Sequence, residues 1–290
     1  MKIRKIVIPV AGYGTRFLPF TKAIPKEMLP IVDRPVIQYI VEEAVAAGIE
    51  EVILITGYSK RAIEDYFDYN LELEFLLEKS GKLEQRSMIR NLSDLARFVY
   101  IRQKEQLGNG HAVLQAKEVV GDEPFLMCYG DEVYQGSPSK MQQMIETFER
   151  HGGPVLNVMQ KTADSDYDKY GYIRVKEELG NGEFSVAEFI EKPGAANKPS
   201  PYAQLSSYLL TPDIFPILEN QQPGKGGEIW LTDAVNTLSQ HREVFAREAQ
   251  GLKYFDCGNK LEYMKAMVEF GLEREDLGND FRTYLKGLNL

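Results

Sequence analysis

The sequence predicts an α/β protein built on a mixed central sheet, and three observations carry that prediction. The apolar, β-branched runs Ile6-Val-Ile-Pro-Val10 and Glu51-Val-Ile-Leu-Ile-Thr56 read as strands buried on both faces. Between them, Pro35 to Ala47 reads as a helix: Pro35 sits at its first turn, Gly48 follows its end, and Ile37, Ile40, Val41, Ala44 and Val45 share one face. Strand, helix and strand form a right-handed βαβ unit with parallel strands. Third, the strand–helix alternation is regular to about residue 130, after which strands outnumber helices between about 154 and 210. A parallel first half therefore continues into a more antiparallel second half within one sheet.

Further helices are expected at Ser59–Phe67, Leu71–Gln85, Gly110–Lys117, Ser139–Arg150, Ile229–Gln240 and Lys260–Phe270, with a terminal helix over 273–287. Further strands are expected at Phe98–Arg102, Phe125–Cys128, Pro154–Met159, Tyr172–Val175, Ser185–Ile190, Gln204–Leu210 and Val244–Glu248. No Gly/Ser-rich linker divides the 290 residues, and Gly194–Pro201 reads as a surface loop. One domain is expected, with halves at about 1–130 and 131–260 and C-terminal helices over 261–290.

Charge narrows the function. The net charge of −9 argues against a nucleic-acid surface, and no apolar run approaches a membrane span. Residues 1–34 nevertheless hold seven basic groups against two acidic ones, a positive island that suits a small polyanion as well as a solvated face. Met1-Lys-Ile-Arg-Lys5 before an apolar patch loosely mimics a secretory signal, but Pro9 and the glycine loop behind it favour a strand. Cys128 and Cys257 have neither zinc spacing nor a disulfide framework, which suits a cytoplasmic protein.

The first strand runs into Val10-Ala-Gly-Tyr-Gly-Thr-Arg16, followed by Pro25-Lys-Glu-Met-Leu-Pro30. Gly12 and Gly14 clear side chains from the turn, so that backbone N–H groups can approach an anion. Arg16 and Lys26 add positive charge suited to phosphate oxygens. No Gly-Lys-Ser/Thr follows, so this is not a Walker loop. Phe17 stands where a dinucleotide fingerprint needs a small residue, and Pro19 and Pro25 prevent a helix from starting at once. The loop should wrap a phosphate chain as an irregular lid; a glycine turn with two solvated basic residues is the plainer alternative.

Ligands of such sheets lie beyond the carboxyl ends of the parallel strands. There Gln103 offers an amide to a base edge, although a surface polar residue reads the same way. Gly108-Asn-Gly110 opens a helix with bare backbone on which a planar base can rest, and His111 reads as a helix-start residue. Asp131, closing Phe125-Leu-Met-Cys-Tyr-Gly-Asp131-Glu132, is either a turn former or a hard oxygen ligand for Mg²⁺. If Asp131 is a ligand, Asp256, in Tyr254-Phe-Asp-Cys-Gly-Asn259, could close the same metal site from the other side. Glu191-Lys192-Pro193 pairs a carboxylate suited to sugar hydroxyls with a lysine suited to phosphate, although such pairs are common on surfaces, and Tyr170-Gly171 adds a glycine where a sugar ring can rest.

Taken in order, these pieces resemble the bacterial UTP–glucose-1-phosphate uridylyltransferases within the sugar-phosphate nucleotidyltransferase family. The match includes Gly12-Tyr-Gly-Thr-Arg16, Thr21-Lys-Ala-Ile-Pro-Lys-Glu-Met-Leu-Pro30, Ser59-Lys-Arg-Ala-Ile-Glu-Asp-Tyr-Phe67, Gly110-His-Ala-Val113, Glu191-Lys-Pro193, Leu231-Thr-Asp-Ala234 and Asp256-Cys-Gly-Asn-Lys260. The resemblance implies a Rossmann-like, glycosyltransferase-A-type fold and Mg²⁺-dependent uridylyl transfer from UTP to glucose 1-phosphate. It makes about 1–130 the nucleotide-binding half and about 131–260 the sugar-phosphate-binding half. By position, Ala11, Gly12, Gly14, Thr15, Gln103 and Gly108 would hold the nucleotide, and Arg16 and Lys26 its triphosphate. Gly171 and Glu191 would hold the hexose, Lys192 its phosphate, and Asp131 with Asp256 the metal. It also implies a homodimer or homotetramer.

The sequence departs from the family pattern at Tyr13, Asn109, Glu132, Ser206, Ser207 and Trp230, positions that bear on sugar and base preference. Three other readings stay open: the same chemistry with dTTP or another hexose 1-phosphate, a non-catalytic nucleotide-sugar regulator, and a nicotinamide oxidoreductase, which the loop mismatch disfavours.

Overall fold

The structure, a computed structural model, describes residues 2–289. Its first half contains β1 (Lys5–Pro9), β2 (Pro30–Ile31), β3 (Arg34–Pro35), α1 (Val36–Ala46), β4 (Glu51–Thr56), α2 (Arg61–Phe67), α3 (Leu71–Lys79), α4 (Leu83–Ser93), β5 (Arg97–Arg102), α5 (Asn109–Leu114), α6 (Lys117–Val120) and β6 (Phe125–Cys128). The second half contains β7 (Glu132–Gln135), α7 (Lys140–His151), β8 (Val155–Gln160), β9 (Gly171–Gly180), β10 (Glu183–Glu191), β11 (Tyr202–Leu210), α8 (Ile214–Asn220), α9 (Leu231–Ser239), β12 (Phe245–Glu248), β13 (Lys253–Asp256), α10 (Lys260–Glu273) and α11 (Gly278–Lys286).

Nine strands form one sheet in the order β5-β4-β1-β6-β11-β8-β12-β10-β9. The first four are mutually parallel, as the βαβ pattern predicts. β11 then runs antiparallel between β6 and β8, and β10 runs antiparallel between β12 and β9. From β1 the chain steps outward to β4 and β5, then returns to β6 on β1's other side. The carboxyl ends of β1 and β6 therefore flank a topological switch point, where sheets of this kind bind ligands. Both faces of the sheet are covered. Ile6 and Ile8 of β1 pack with Ile37, Ile40 and Val41 of α1 on one face, while Val7 packs with Val113 and Ala116 on the other. The two-residue period of a strand places them so, and each such side chain contributes roughly 1.5–3 kcal/mol when fully buried.

Several elements differ from expectation. The helix expected over Leu71–Gln85 is two helices, α3 and α4, because the chain takes a left-handed φ of 72° at Gly81. The helix expected at Gly110–Lys117 similarly divides into α5 and α6. The strand expected at Tyr172–Val175 extends to Gly180, pairing with β10 through a polar, exposed stretch that lacks an apolar signature. The terminal helix is shorter and starts at Gly278. The antiparallel pair β7–β13 has four residues per strand and mixed polarity, too short to show as a period.

Candidate active site

The loop after β1 is irregular, as its prolines require. It makes three single 3₁₀ turns, Thr15–Phe17, Phe20–Lys22 and Lys26–Met28. Gly14 starts the first at φ 64°, and a Cβ there would lie 3.1 Å from both Lys26 Cβ and Thr21 Cγ2. Glycine at 14 thus lets the loop fold onto the stem of Lys26. Lys26 Nζ reaches Asp131 Oδ2 at 2.5 Å, joining the end of the loop to the end of β6. Burial disfavours its ammonium, yet Asp131, Glu27 and Asp256 outweigh that and hold its pKa above the usual lysine value.

The β7–β13 pair brings the two aspartates together. Asp256 lies opposite Glu132 in the ladder, and the Cys257 N–H donates to the Asp131 carbonyl at 2.8 Å. A Cβ on Gly258 would lie 2.5 Å from Asp131 Oδ2 and 2.9 Å from Asp256 Oδ1, so two carboxylate oxygens converge on one point. Burial and then Asp131 push the Asp256 carboxyl up, while the Gly258 N–H, Arg16 and Lys26 work the other way. Arg16 approaches Asp256 Oδ2 at 3.9 Å with its side chain 73% exposed. This donor set suits a hard dication, which takes one or two protein carboxylates and keeps its waters. Among the described residues, no group of three or more His, Cys, Asp or Glu side chains forms a metal cluster.

Two clefts of about 310 Å³ each meet at this point. The first is bordered by Ala11, Gly12, Gln103, Gln106, Gly108 and Glu228. The second is bordered by Arg16, Gly171, Glu191, Ser206, Thr232 and Asp256. Lys26, Asn109, Tyr129, Asp131 and Trp230 border both, so the two clefts share a wall.

In the first cleft Gln103 is buried, with its side-chain nitrogen 2.9 Å from His111 Nδ1. Gln115 Nε2 approaches the other ring nitrogen at 3.1 Å, so His111 is an orienting partner near the start of α5. A neutral imidazole donates at one nitrogen and accepts at the other, so one of these amides presents its oxygen. Gln106 Nε2 donates to the Ala11 carbonyl at 2.7 Å. Gly108 has a φ of 101°, and a Cβ there would stand 2.6 Å from the Ile229 carbonyl oxygen. Glycine at 108 lets the strap 228–232 close on the loop, through Ile229 N to Leu107 O at 2.7 Å and Gly110 N to Ile229 O at 2.9 Å.

In the second cleft Gly171 lies opposite Glu191 in the β9–β10 ladder. A Cβ on Gly171 would meet Phe189 at 2.5 Å and Glu191 Oε2 at 3.1 Å. The Thr232 hydroxyl donates to that same oxygen at 3.1 Å. Lys192, at a left-handed φ of 47°, lies at the outer rim with Nζ 3.6 Å from Glu191 Oε1 and 5.7 Å from the Trp230 ring. A bulge in β11 between Gln204 and Tyr208 contains Ser206 at φ 58° and turns this stretch toward the cleft.

The structure therefore gathers Ala11, Gly12, Lys26, Gln103, Gly108 and Asp131 around one cleft, and Arg16, Gly171, Glu191 and Asp256 around its neighbour. Gly14 and Thr15 shape the loop from outside, and Lys192 stands beyond the lining. Residue-level reasoning passed over Gln106, Tyr129, Thr232 and Tyr254, which line the clefts. Of these, Thr232, Tyr129 and Tyr254 lay inside stretches that stood out for other residues, and Gln106 carried no signal. Four of the departures, Asn109, Glu132, Ser206 and Trp230, line the second cleft, whereas Tyr13 is exposed. Asn109 donates to the Tyr129 hydroxyl at 2.7 Å and accepts from Leu231 N at 2.9 Å, fastening α9 to the shared wall.

A cationic loop at a switch point, and two clefts meeting at one pair of carboxylates, define an enzyme that brings a nucleotide up to a second anionic substrate. Comparison with known proteins agrees: the family model described as "Nucleotidyl transferase" matches residues 5–271, and the chain belongs to that family. A Staphylococcus epidermidis relative, named UTP–glucose-1-phosphate uridylyltransferase, is 44% identical over 289 residues, which cover 100% of this chain and 99% of that protein. The solved structure "UTP-bound UGPase" from Acinetobacter baumannii superposes with a TM-score of 0.92 at 38% identity, covering 99% of this chain and 100% of that one. A UDP-glucose pyrophosphorylase solved with UDP-glucose gives a TM-score of 0.84 at 39% identity, covering 94% and 100%. The expected family and its Rossmann-like, nucleotide-sugar transferase fold are both borne out. No helix among the described residues is long and apolar enough to cross a membrane.

Proposed function

We propose that this enzyme transfers a uridylyl group from UTP to α-D-glucose 1-phosphate, giving UDP-glucose and pyrophosphate. The observation that carries the reading is the wall shared by the two clefts, with Lys26 and Asp131 at their junction. An oxygen of the sugar 1-phosphate attacks the α-phosphorus of UTP in line. The bond from that phosphorus to the oxygen bridging the β-phosphate breaks, and pyrophosphate leaves. The attacking group is already an anion, so no protein nucleophile is required. The work left to the protein is alignment and charge neutralisation.

In this scheme Gln103 and the bare backbone at Ala11, Gly12 and Gly108 receive the nucleoside, on a loop shaped by Gly14 and Thr15. Arg16 and Lys26 neutralise the triphosphate and then the departing pyrophosphate. Glu191, oriented by Thr232, accepts from sugar hydroxyls over Gly171, and Lys192 meets the sugar phosphate. Asp131 and Asp256 would hold Mg²⁺, whose charge offsets the repulsion between phosphate groups when it is bound. The convergence of their oxygens beside Gly258 supports that assignment. The reading also takes the chain as one domain, with the nucleotide held by the first half and the sugar phosphate by the second. It places the enzyme in the cytoplasm, in keeping with two free buried cysteines, as a homodimer or homotetramer.

A panel of nucleotides and hexose 1-phosphates, assayed by pyrophosphate release with Mg²⁺, tests the proposal. UTP with glucose 1-phosphate should be the preferred pair, and chelator should abolish turnover until Mg²⁺ is restored. A preference for dTTP or another sugar would overturn the substrate assignment. Binding across the panel without turnover would overturn the catalytic one.

A further inference from the structure

Behind Lys26 lies a second charge pair that the scheme above does not use. Lys60, in the Ser59-Lys-Arg stretch leading into α2, places Nζ 2.9 Å from Glu27 Oε2, and the two side chains are 4% and 1% exposed. Glu27 follows Lys26 in the same 3₁₀ turn, and its Oε1 has no hydrogen-bond partner. Two ion pairs, Lys60 with Glu27 and Lys26 with Asp131, thus adjoin through consecutive residues, and the Glu27 carboxylate feels both lysines. Burial pushes the Glu27 carboxyl up, and Lys60 is the foremost charge opposing this, with Lys26 next. A carboxylate buried this deeply keeps its charge only beside a cation. Without Lys60, the cation left to it is Lys26.

The geometry points to Lys60 as a positioning residue: by neutralising Glu27, it leaves the Lys26 ammonium turned toward Asp131 and the substrate phosphates. Lys60 lies outside both clefts, whereas Glu27 borders the first, so the effect of Lys60 passes through its neighbours. The inference rests on the nucleotidyl-transfer reading of the site, because that reading gives Lys26 its task.

The test compares the parent enzyme, Lys60→Met, and the double variant Lys60→Met/Glu27→Gln. In the single variant Glu27 draws Lys26 back, and kcat falls on the order of 100-fold, the scale of losing one oriented transition-state contact. The Kd for UTP, read by titration calorimetry, weakens alongside, while KM for glucose 1-phosphate stays within about twofold. The double variant removes both buried charges and frees Lys26, so it regains about tenfold in kcat, as coupled members of one charge network do. It leaves no unpaired buried charge, so it should fold even if the single variant does not. In that event, kcat within about tenfold of the parent supports the inference, and kcat as low as that of Lys26→Ala overturns it. A single variant indistinguishable from the parent, or a double variant no better than the single, also overturns it. An inactive parent would count against the proposed reaction instead, and the UTP affinities would still decide the role of Lys60.

Discussion

Lys26 and Asp131, 105 residues apart in the chain, meet at 2.5 Å where the two clefts join. In the absence of substrate each quenches the other, so the cleft need not hold a bare ammonium beside a bare carboxylate. In the reaction proposed above, arriving phosphates would divide the pair, the ammonium going to phosphate oxygens and the carboxylate to a metal. Lys26→Ala and Asp131→Asn should each lower kcat on the order of 100-fold or more, by analogy with removal of one transition-state donor. Because the two act as one unit, the double variant should be much less impaired than the product of the single effects. Steady-state pyrophosphate release on the three variants decides this, and fully multiplicative losses would refute a shared role.

Gly12 and Gly108 border the same cleft, yet an added methyl group should act differently at each. A Cβ at Gly12 meets nothing within 4 Å, whereas one at Gly108 would stand 2.6 Å from the Ile229 carbonyl oxygen with the backbone at φ 101°. Gly12→Ala should leave Tm unchanged and raise KM for UTP, since the methyl occupies space that the proposed function gives to the nucleotide. Gly108→Ala should lower stability by about 2 kcal/mol or more from backbone strain and displacement of the strap, and weaken UTP binding as well. Thermal melts alongside UTP titrations distinguish the two, and equal losses of Tm would refute the contrast.

The difference between these glycines also marks how far the sequence could be read. Both stood out as glycines near a strand end, but only the fold shows that Ile229, more than a hundred residues on, makes Gly108 obligatory. The parallel half was legible because β1 and β4 are buried on both faces and so are written as continuous apolar runs. The β7–β13 pair was not, since four residues of mixed polarity leave no period, yet it is what joins Asp131 to Asp256. The partnership of Lys60 with Glu27 was equally hidden. Each is a common residue in a helical or turn context, and only packing leaves them together out of water.

Far from the clefts, Glu183 gives a pH-dependent test of the fold. Its side chain is 5% exposed and faces Arg150, His151 and Arg247, and it accepts from the Thr147 hydroxyl at 2.9 Å. Burial raises its pKa, but the hydrogen bonds from His151 and Thr147 and the charge of Arg150 outweigh that and hold it below the usual glutamate value. A carboxyl depressed by folding contributes stability above its unfolded pKa and loses it as pH falls through the folded one. Glu183→Gln should therefore destabilise the protein by about 2 kcal/mol near pH 7, the scale of hydrogen bonds to a charged group. The gap should narrow as pH falls below the usual glutamate value of about 4.3 and close once the parent carboxyl, held lower still, also takes up a proton. Denaturant melts at several pH values test this, and a gap that persists unchanged into acid would refute it.

The strap 228–232 touches both clefts, and its two anchors should separate the substrates kinetically. Thr232 holds only the second cleft, the one proposed to take the sugar phosphate, donating to Glu191 Oε2 at 3.1 Å. Asn109 holds the shared wall, bonding Tyr129 on one side and the first residue of α9 on the other. Thr232→Val keeps shape but removes the hydroxyl, leaving Glu191 free to rotate. It should raise KM for the sugar phosphate about tenfold, the scale of one lost hydrogen bond to a charged group, while KM for UTP holds. Asn109→Ala frees the strap itself, so KM should rise for both substrates. If Thr232→Val disturbed the nucleotide as much as the sugar phosphate, the two clefts could not be assigned to separate substrates, because Thr232 borders only the second.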